Sequence, residues 1–240
     1  MNKPRQLILI RHGESARNKA KDGKGTTYFA DEEARKTVKG IPDHEIPLTE
    51  EGHRQAERTG AYMRERFGAP DFIYHSGYKR TVQTTEGMLS AFSKTERRRI
   101  NVRMNPFIRE RDPGWAYDMT QAEAEAAFPW LHEYWKTFGG FFAVPPGGES
   151  ICQVVSRVRM FYEALKRSRA GESVWICTHG GTIRAFRSTL ERWSYQQALA
   201  WPQGQSPKNC GITVYEYDRR TRRLALREYN TVAPFVPRIT

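Results

Sequence analysis

Two histidines occupy nearly the same local sequence. The apolar run Leu7-Ile8-Leu9-Ile10 leads into Arg11-His12-Gly13-Glu14, and Val174-Trp175-Ile176-Cys177-Thr178 leads into His179-Gly180-Gly181. Short, fully apolar runs of this kind read as strands buried on both faces of a sheet. In an open parallel sheet, ligands bind at the carboxyl ends of the strands, so two histidines at two such ends meet if the strands are neighbours. The glycine after each lets backbone N–H groups approach an anion at a helix start. Arg11 adds a planar, permanently charged donor fork suited to phosphate. A lone histidine after a strand is more often structural; two His-Gly corners with an adjacent arginine point instead to phosphate chemistry.

Those corners need a sheet with helices to hold them. Thr49 can cap a helix whose positions Ala56, Gly60, Met63 and Phe67 recur at helical spacing. Residues 71–75 read as a second strand and 79–92 as a second helix. Thr120 with Glu123 and Ser150 with Gln153 form capping boxes that open further helices. The helix after Ser150 carries Ile151, Val154, Val155, Val158, Tyr162 and Leu165 on one face. Residues 174–177 form a strand, 182–190 a helix, and 212–217 with 224–229 an antiparallel hairpin. Helical patterns between buried strands predict an α/β three-layer sandwich, with a mostly parallel central sheet, helices on both faces and a terminal hairpin. There is no internal repeat and no clear linker, so residues 1–240 are expected to form one domain. Residues 19–39, charged and weakly periodic, look like an insertion. Residues 105–149, rich in aromatics, proline and glycine, look like a cap beside the sheet.

Bulk properties narrow the partners. Thirty-nine Lys and Arg against twenty-seven Asp and Glu leave +12, which draws polyanions to the surface. The basic clusters at 97–99 and 219–223 read as a solvated loop and a hairpin turn, so nucleic-acid binding would rest on net charge alone and is not expected. No apolar run approaches the ~18 residues of a membrane span, and the run at 7–10 is too short for a signal-peptide core. Cys152, Cys177 and Cys210 form neither an even disulfide framework nor a metal-ligand spacing. A reducing, cytoplasmic setting is expected. The Cys-x5-Arg loop of thiol-dependent phosphatases is absent.

Arg11-His12-Gly13-Glu14-Ser15 with Asn18 resembles the signature of the histidine phosphatase superfamily, the phosphoglycerate mutase-like proteins. The resemblance continues through Pro47-Leu48-Thr49-Glu50-Glu51-Gly52 with Gln55-Ala56, then Ser76 to Thr84 with Arg80, Gln83 and Thr84. It continues in Arg109-Glu110 with Gly114, in Gly147-Gly148-Glu149-Ser150, and in Thr178-His179-Gly180-Gly181. These blocks fall in family order along most of the chain. The resemblance implies that His12 is the nucleophile, carrying the phosphoryl group on its imidazole. Arg11, Asn18, Arg80 and His179, with the N–H of Gly180, would surround the phosphate. Glu110 would protonate the leaving oxygen and then activate water. Phe107 and Trp115 could raise its pKa by desolvation, while Arg109 and Arg111 would lower it if they point the same way. Asp112 and Glu149 are the rival acids, and Asn18 could equally serve as a cap. Neither metal nor cofactor is implied, because arginines neutralise the charge.

The family contains both phosphatases and mutases. Glycolytic mutases follow the acid with His-Tyr-Gly, where this chain has Arg111-Asp112-Pro113-Gly114. A phosphatase acting on a small phosphorylated substrate is therefore expected, with a mutase as the alternative. A non-catalytic binder of phosphorylated ligands, the third reading, would have no use for a nucleophile and an acid together. Lys19, Lys21 and Lys24 in the insertion read either as a basic rim for a multiply charged substrate or as a solvated loop. The sequence carries no signature of oligomeric state.

Overall fold

A computed structural model describes residues 2–21, 28–200 and 206–234. In chain order the elements are β1 (Gln6–Arg11), α1 (Ala16–Ala20), α2 (Glu32–Arg35), α3 (Glu50–Phe67), β2 (Phe72–His75), α4 (Lys79–Leu89), α5 (Lys94–Arg99) and β3 (Asn101–Met104). There follow α6 (Gln121–Ala127), α7 (Leu131–Phe138), α8 (Ile151–Ser168), β4 (Ser173–Thr178), α9 (Gly180–Leu190), α10 (Tyr195–Leu199), β5 (Ile212–Asp218) and β6 (Arg223–Thr231). Short 3-10 turns lie at Asp43–Glu45, Pro106–Ile108 and Gly114–Asp118.

The strands form one sheet in the order β3-β2-β4-β1-β5-β6. Pairings from β3 to β1 are parallel, and β5 and β6 add the antiparallel hairpin. The mostly parallel α/β sheet is the one predicted. Because side chains alternate along a strand, β1 serves both layers. Leu7 and Leu9 pack with Val158, Phe161 and Leu165 of α8 and Phe186 of α9. Ile8 and Ile10 pack with Met63 of α3 and Met88 of α4. Both faces of β1 and β4 are thus covered, which is why their sequences are continuous apolar runs. Neighbouring β1 and β4 run in register, Ile10 beside Cys177 and Arg11 beside Thr178, so the two His-Gly corners emerge side by side.

Two local readings change. β3 was not anticipated: its side chains are exposed along its whole length, leaving no burial pattern to read, and it is held as an edge strand by pairing with β2. Arg97, Arg98 and Arg99 lie in the last turn of α5 rather than in a loop, where cations suit the helix dipole. The region 19–39 is more than a solvated loop. Phe29, Val38 and Ile46 make a small buried cluster of their own, and Phe29 exchanges backbone hydrogen bonds with Met119 and Gln121 of the cap. Buried Arg35 joins the same two regions through its ion pair to Glu123. Of the predicted basic rim, Lys24 lies outside the described residues.

Candidate active site

The loop after β1 is wedged against the start of α3. A Cβ on Gly13 would stand 2.5 Å from the Gly52 carbonyl oxygen, and one on Gly52 would stand 2.1 Å from that of Glu14. Backbone meets backbone here, so neither residue can carry a side chain. Glu14 and Ser15 hold this loop: the Thr49 hydroxyl donates to the Glu14 carboxylate at 2.6 Å, and Ser15 caps α1.

The loop fixes the state of His12. Nδ1 lies 2.7 Å from the Gly13 carbonyl oxygen, which can only accept, so Nδ1 carries the proton and Nε2 keeps its lone pair. Burial, then the charges of Arg80 and Arg11, push the His12 pKa well below its ordinary value, opposed by the Gly13 bond. The ring is therefore neutral near pH 7 with a nucleophilic nitrogen. His179 meets it edge to face, ring centroids 5.2 Å apart.

A row of hydroxyls orients His179. Thr81 Oγ1 donates to the Tyr78 carbonyl oxygen at 2.8 Å, so Ser76 Oγ must donate to Thr81 Oγ1 at 2.9 Å. Ser76 Oγ then accepts from His179 Nε2 at 2.8 Å. With its proton on Nε2, neutral His179 keeps a lone pair on Nδ1, a buried atom with no hydrogen-bond partner. Burial and then Arg80 push the His179 pKa well down. An arriving phosphate reverses that balance, favouring a protonated Nδ1 that donates to the anion.

The cations surround the same place. Arg11 Nη1 donates to the Pro207 carbonyl oxygen, whereas its buried Nε has no partner. Arg80 opens α4 and is almost fully buried; its guanidinium grips Asp43 at 3.0 Å and lies 4.8 Å from the Tyr78 ring centroid. Gly180 begins α9, and the N-cap residue His179 makes no side-chain capping bond. The first N–H groups of this helix remain for an anion. Asn18 acts as a cap: its Oδ1 accepts from Ser15 and Asn209, leaving the amide Nδ2 as its donor to the cavity.

Glu110 enters from the cap. Thr178 Oγ1 donates to the Ile108 carbonyl oxygen at 2.7 Å and Thr182 Oγ1 to that of Arg109 at 2.5 Å, docking the preceding residues on β4 and α9. Glu110 Oε1 accepts the Arg111 N–H at 2.8 Å and would be 2.6 Å from a Cβ on Gly181, so that glycine makes room for the carboxyl. Burial raises the Glu110 pKa against the Arg111 N–H, Arg80 and Arg11. Phe107 and Trp115 are 40% and 74% exposed. Of the flanking arginines, Arg109 pairs with Glu149 at 2.6 Å, while Arg111, whose Nε donates to the Glu149 carbonyl oxygen at 2.7 Å, lines the same cavity as Glu110 and interacts with its charge. Glu149 is further held by Arg157 and by the N–H of Asp112, and its pKa is lowered. Asp112 is exposed and accepts the N–H of Gly114. Neither rival is suited to be an acid.

Arg11, His12, Asn18, Arg80 and Glu110 line a cavity of about 600 Å³ together with Arg17, Lys21, Tyr117 and Trp135, while fully buried His179 packs against His12 and is not part of the lining. Sequence reasoning passed over Ser76, Asp43 and Arg17, whose partners lie far along the chain. Among the described residues no cluster of three or more His, Cys, Asp or Glu is arranged to hold a metal ion. No helix among them is long and apolar enough to cross a membrane.

Residues 7–230 match the model of the histidine phosphatase superfamily (branch 1). The phosphoglycerate mutase-like protein AT74H of Arabidopsis thaliana is 32% identical over 233 residues, covering 89% of this chain and 74% of its own. A 2,3-bisphosphoglycerate-dependent phosphoglycerate mutase of Rhizobium etli is 27% identical, covering 81% of this chain and 84% of its own. In fold, the chain resembles a mycobacterial glucosyl-3-phosphoglycerate phosphatase solved with inorganic phosphate (TM-score 0.69, 23% identity, 95% of this chain and 98% of that one). It also resembles a putative alpha-ribazole-5'-P phosphatase of Escherichia coli (TM-score 0.72, 19% identity, 97% of this chain and 98% of that one). With the family model spanning nearly its whole length and His12 and His179 in ring contact, this chain belongs to branch 1 of the histidine phosphatase superfamily, enzymes that act on phosphorylated small molecules as phosphatases or mutases.

Proposed function

We propose that this chain is a phosphatase that hydrolyses phosphate monoesters through a phosphohistidine on His12. The observation carrying the reading is the bond from His12 Nδ1 to the Gly13 carbonyl, which leaves Nε2 as a neutral, fixed nucleophile. Nε2 attacks phosphorus in line, and the bond from phosphorus to the ester oxygen breaks. Glu110, whose pKa burial raises, gives its proton to the departing oxygen. Arg11, Arg80, the Asn18 amide, the Gly180 N–H and a protonated His179 share the charge on the equatorial oxygens. Ionised Glu110 then takes a proton from water as that water attacks phosphorus, breaking the P–N bond. Inorganic phosphate leaves, and His12 and Glu110 return to their starting states.

Trapping the intermediate tests this. Protein mixed with phosphorus-labelled p-nitrophenyl phosphate and quenched in alkaline detergent should hold label that survives alkali and is lost in acid, and His12→Ala should hold none. Label of the opposite stability, or label that survives in His12→Ala, removes the nucleophile assignment.

A mutase reading is favoured by the names of similar sequences, several of which are 2,3-bisphosphoglycerate-dependent phosphoglycerate mutases. A mutase keeps water out and grips the second anionic group of a bisphosphate. After Glu110 this chain supplies Arg111, whose Nε is already committed to Glu149, then an exposed Asp112 and two residues with no side-chain donor. That composition supports hydrolysis. Phosphorus NMR of 3-phosphoglycerate separates the two: release of inorganic phosphate is expected, and rapid appearance of 2-phosphoglycerate with little free phosphate would make the chain a mutase.

A further inference from the structure

The cavity is larger than phosphoryl transfer needs. At about 600 Å³ it falls in the range of sites that enclose whole small molecules. The lining beyond the phosphate groups must therefore meet whatever the leaving oxygen carries. Glu110, the proton donor to that oxygen, is followed closely by Arg111, Pro113, Ala116 and Tyr117, all on the lining. Trp135 of α7 and Pro145 lie on the same lining.

Pro113, Ala116, Tyr117, Trp135 and Pro145 supply a shelf of flat rings and short apolar groups. Pro113, Ala116 and Pro145 have no side-chain donor or acceptor. The Tyr117 hydroxyl donates to the Ile41 carbonyl oxygen at 3.3 Å, and the Arg17 guanidinium lies 3.9 Å from the Tyr117 ring centroid. The backbone beneath the shelf is fixed. A Cβ on Gly114 would stand 2.1 Å from the Pro146 carbonyl oxygen, and one on Gly148 would stand 2.5 Å from that of Asp112. The two segments thus lie backbone on backbone, and the Trp115 N–H donates to the Pro146 carbonyl oxygen at 2.9 Å. Trp135 is half-buried. The Val144 N–H donates to the Tyr134 hydroxyl at 3.1 Å, tying α7 to the residue before Pro145. The Arg111 guanidinium lies 6.0 Å from the Trp135 ring centroid. Hydroxyls laid on such a shelf would lose water and gain few partners. A flat ring gives up no hydrogen bonds there and stacks on the indole.

We propose that this shelf, with Trp135 as its largest ring, binds a flat aromatic ring of the leaving group, so that the preferred substrates are aryl phosphates or phosphates of ring-bearing alcohols rather than phosphorylated polyols or hydroxy acids. The inference rests on the phosphatase reading and names its substrate class.

Equilibrium binding of non-hydrolysable phosphonates tests the shelf without turnover. By isothermal titration calorimetry, benzylphosphonate is compared with cyclohexylmethylphosphonate, which has the same carbon number and charge but is not flat. The aromatic ligand should bind about tenfold tighter, the scale of stacking on an aromatic side chain. Phenylethyl- and phenylpropylphosphonate, each against its cyclohexyl counterpart, then tell whether the ring sits on the ester oxygen or beyond a spacer. Trp135→Leu should lose most of the aromatic preference and Trp135→Phe should recover it, with binding of inorganic phosphate reporting that each variant is folded. Equal affinities at every spacer length overturn the proposal, as does a preference that survives in folded Trp135→Leu. The comparison within the unaltered protein decides the matter even where a variant does not fold. Phosphate release from p-nitrophenyl phosphate is followed alongside. Turnover without the preference sinks the shelf alone, and the preference without turnover sinks only the phosphatase reading.

Discussion

The floor of the cavity comes from the carboxyl end of β1 and the first turn of α4, backed by His179 after β4, whereas its wall comes from α1, the inserted region and the cap. On the floor, His12, Arg80 and His179 are at most 5% exposed, and each follows directly from a strand or opens a helix. The wall is joined by ring contacts, single hydrogen bonds and the Arg35–Glu123 ion pair, and its Trp115 is mostly exposed. Sheet hydrogen bonds fix the floor whatever the wall does. Phosphoryl chemistry needs that fixity, while selection among leaving groups can be written into segments whose backbone tolerates change.

The sharpest break of this contrast is on the floor. Arg80→Met should lower kcat/KM by about 10²–10³-fold, as loss of one preorganised donor to a developing charge does. Asp43 would then lie unpaired, so the Arg80→Met/Asp43→Asn protein, compared by steady-state kinetics, separates lost phosphate binding from a stranded carboxylate. Next comes Glu110, which belongs to the cap but reaches the floor. Glu110→Gln should slow esters with poor leaving groups by roughly a hundredfold and p-nitrophenyl phosphate much less.

Its pH profile follows from the signs. The His12 pKa is lowered, so kcat/KM falls only in acid as the ring takes a proton; the Glu110 pKa is raised, so kcat/KM falls on the alkaline side as the carboxyl ionises. Glu110→Gln should erase the alkaline limb alone. Ser76→Ala, which frees the His179 ring, should lower kcat by about tenfold. Nitrogen NMR of His179 should then report a mixture of ring tautomers, which a change confined to packing would not produce. The smallest effect belongs to the outer wall: Asp112→Asn should leave kcat within about twofold and stability within about 0.5 kcal/mol. A large loss there would mean that the wall takes part in the chemistry.

The floor was legible because each of its residues is announced locally. Apolar runs leading into His-Gly mark strands followed directly by histidine, and Thr49 and Ser150 cap helices of the sheet layers that their sequences predicted. The wall was not legible, since its ties are between residues distant in sequence. Nothing around Arg17 announces Tyr117, and nothing around Arg80 announces Asp43. β3 shows the same limit, for an edge strand with exposed side chains has no pattern beyond its pairing.

The clasp around Glu149 has a consequence for how this chain can vary. Asp112 and Glu149 exchange hydrogen bonds in both directions, and Arg157 of α8 ties Glu149 to the carbonyl oxygens of Phe107 and Glu110. The chain therefore departs on its excursion and comes home at the same knot. Everything between is a detour whose length the Glu110 carboxyl does not sense, and doubling such a loop costs only about 0.6 kcal/mol in closure entropy. A lineage could lengthen, shorten or exchange the detour, and an engineer could graft another, while Glu110 stays where the knot holds it.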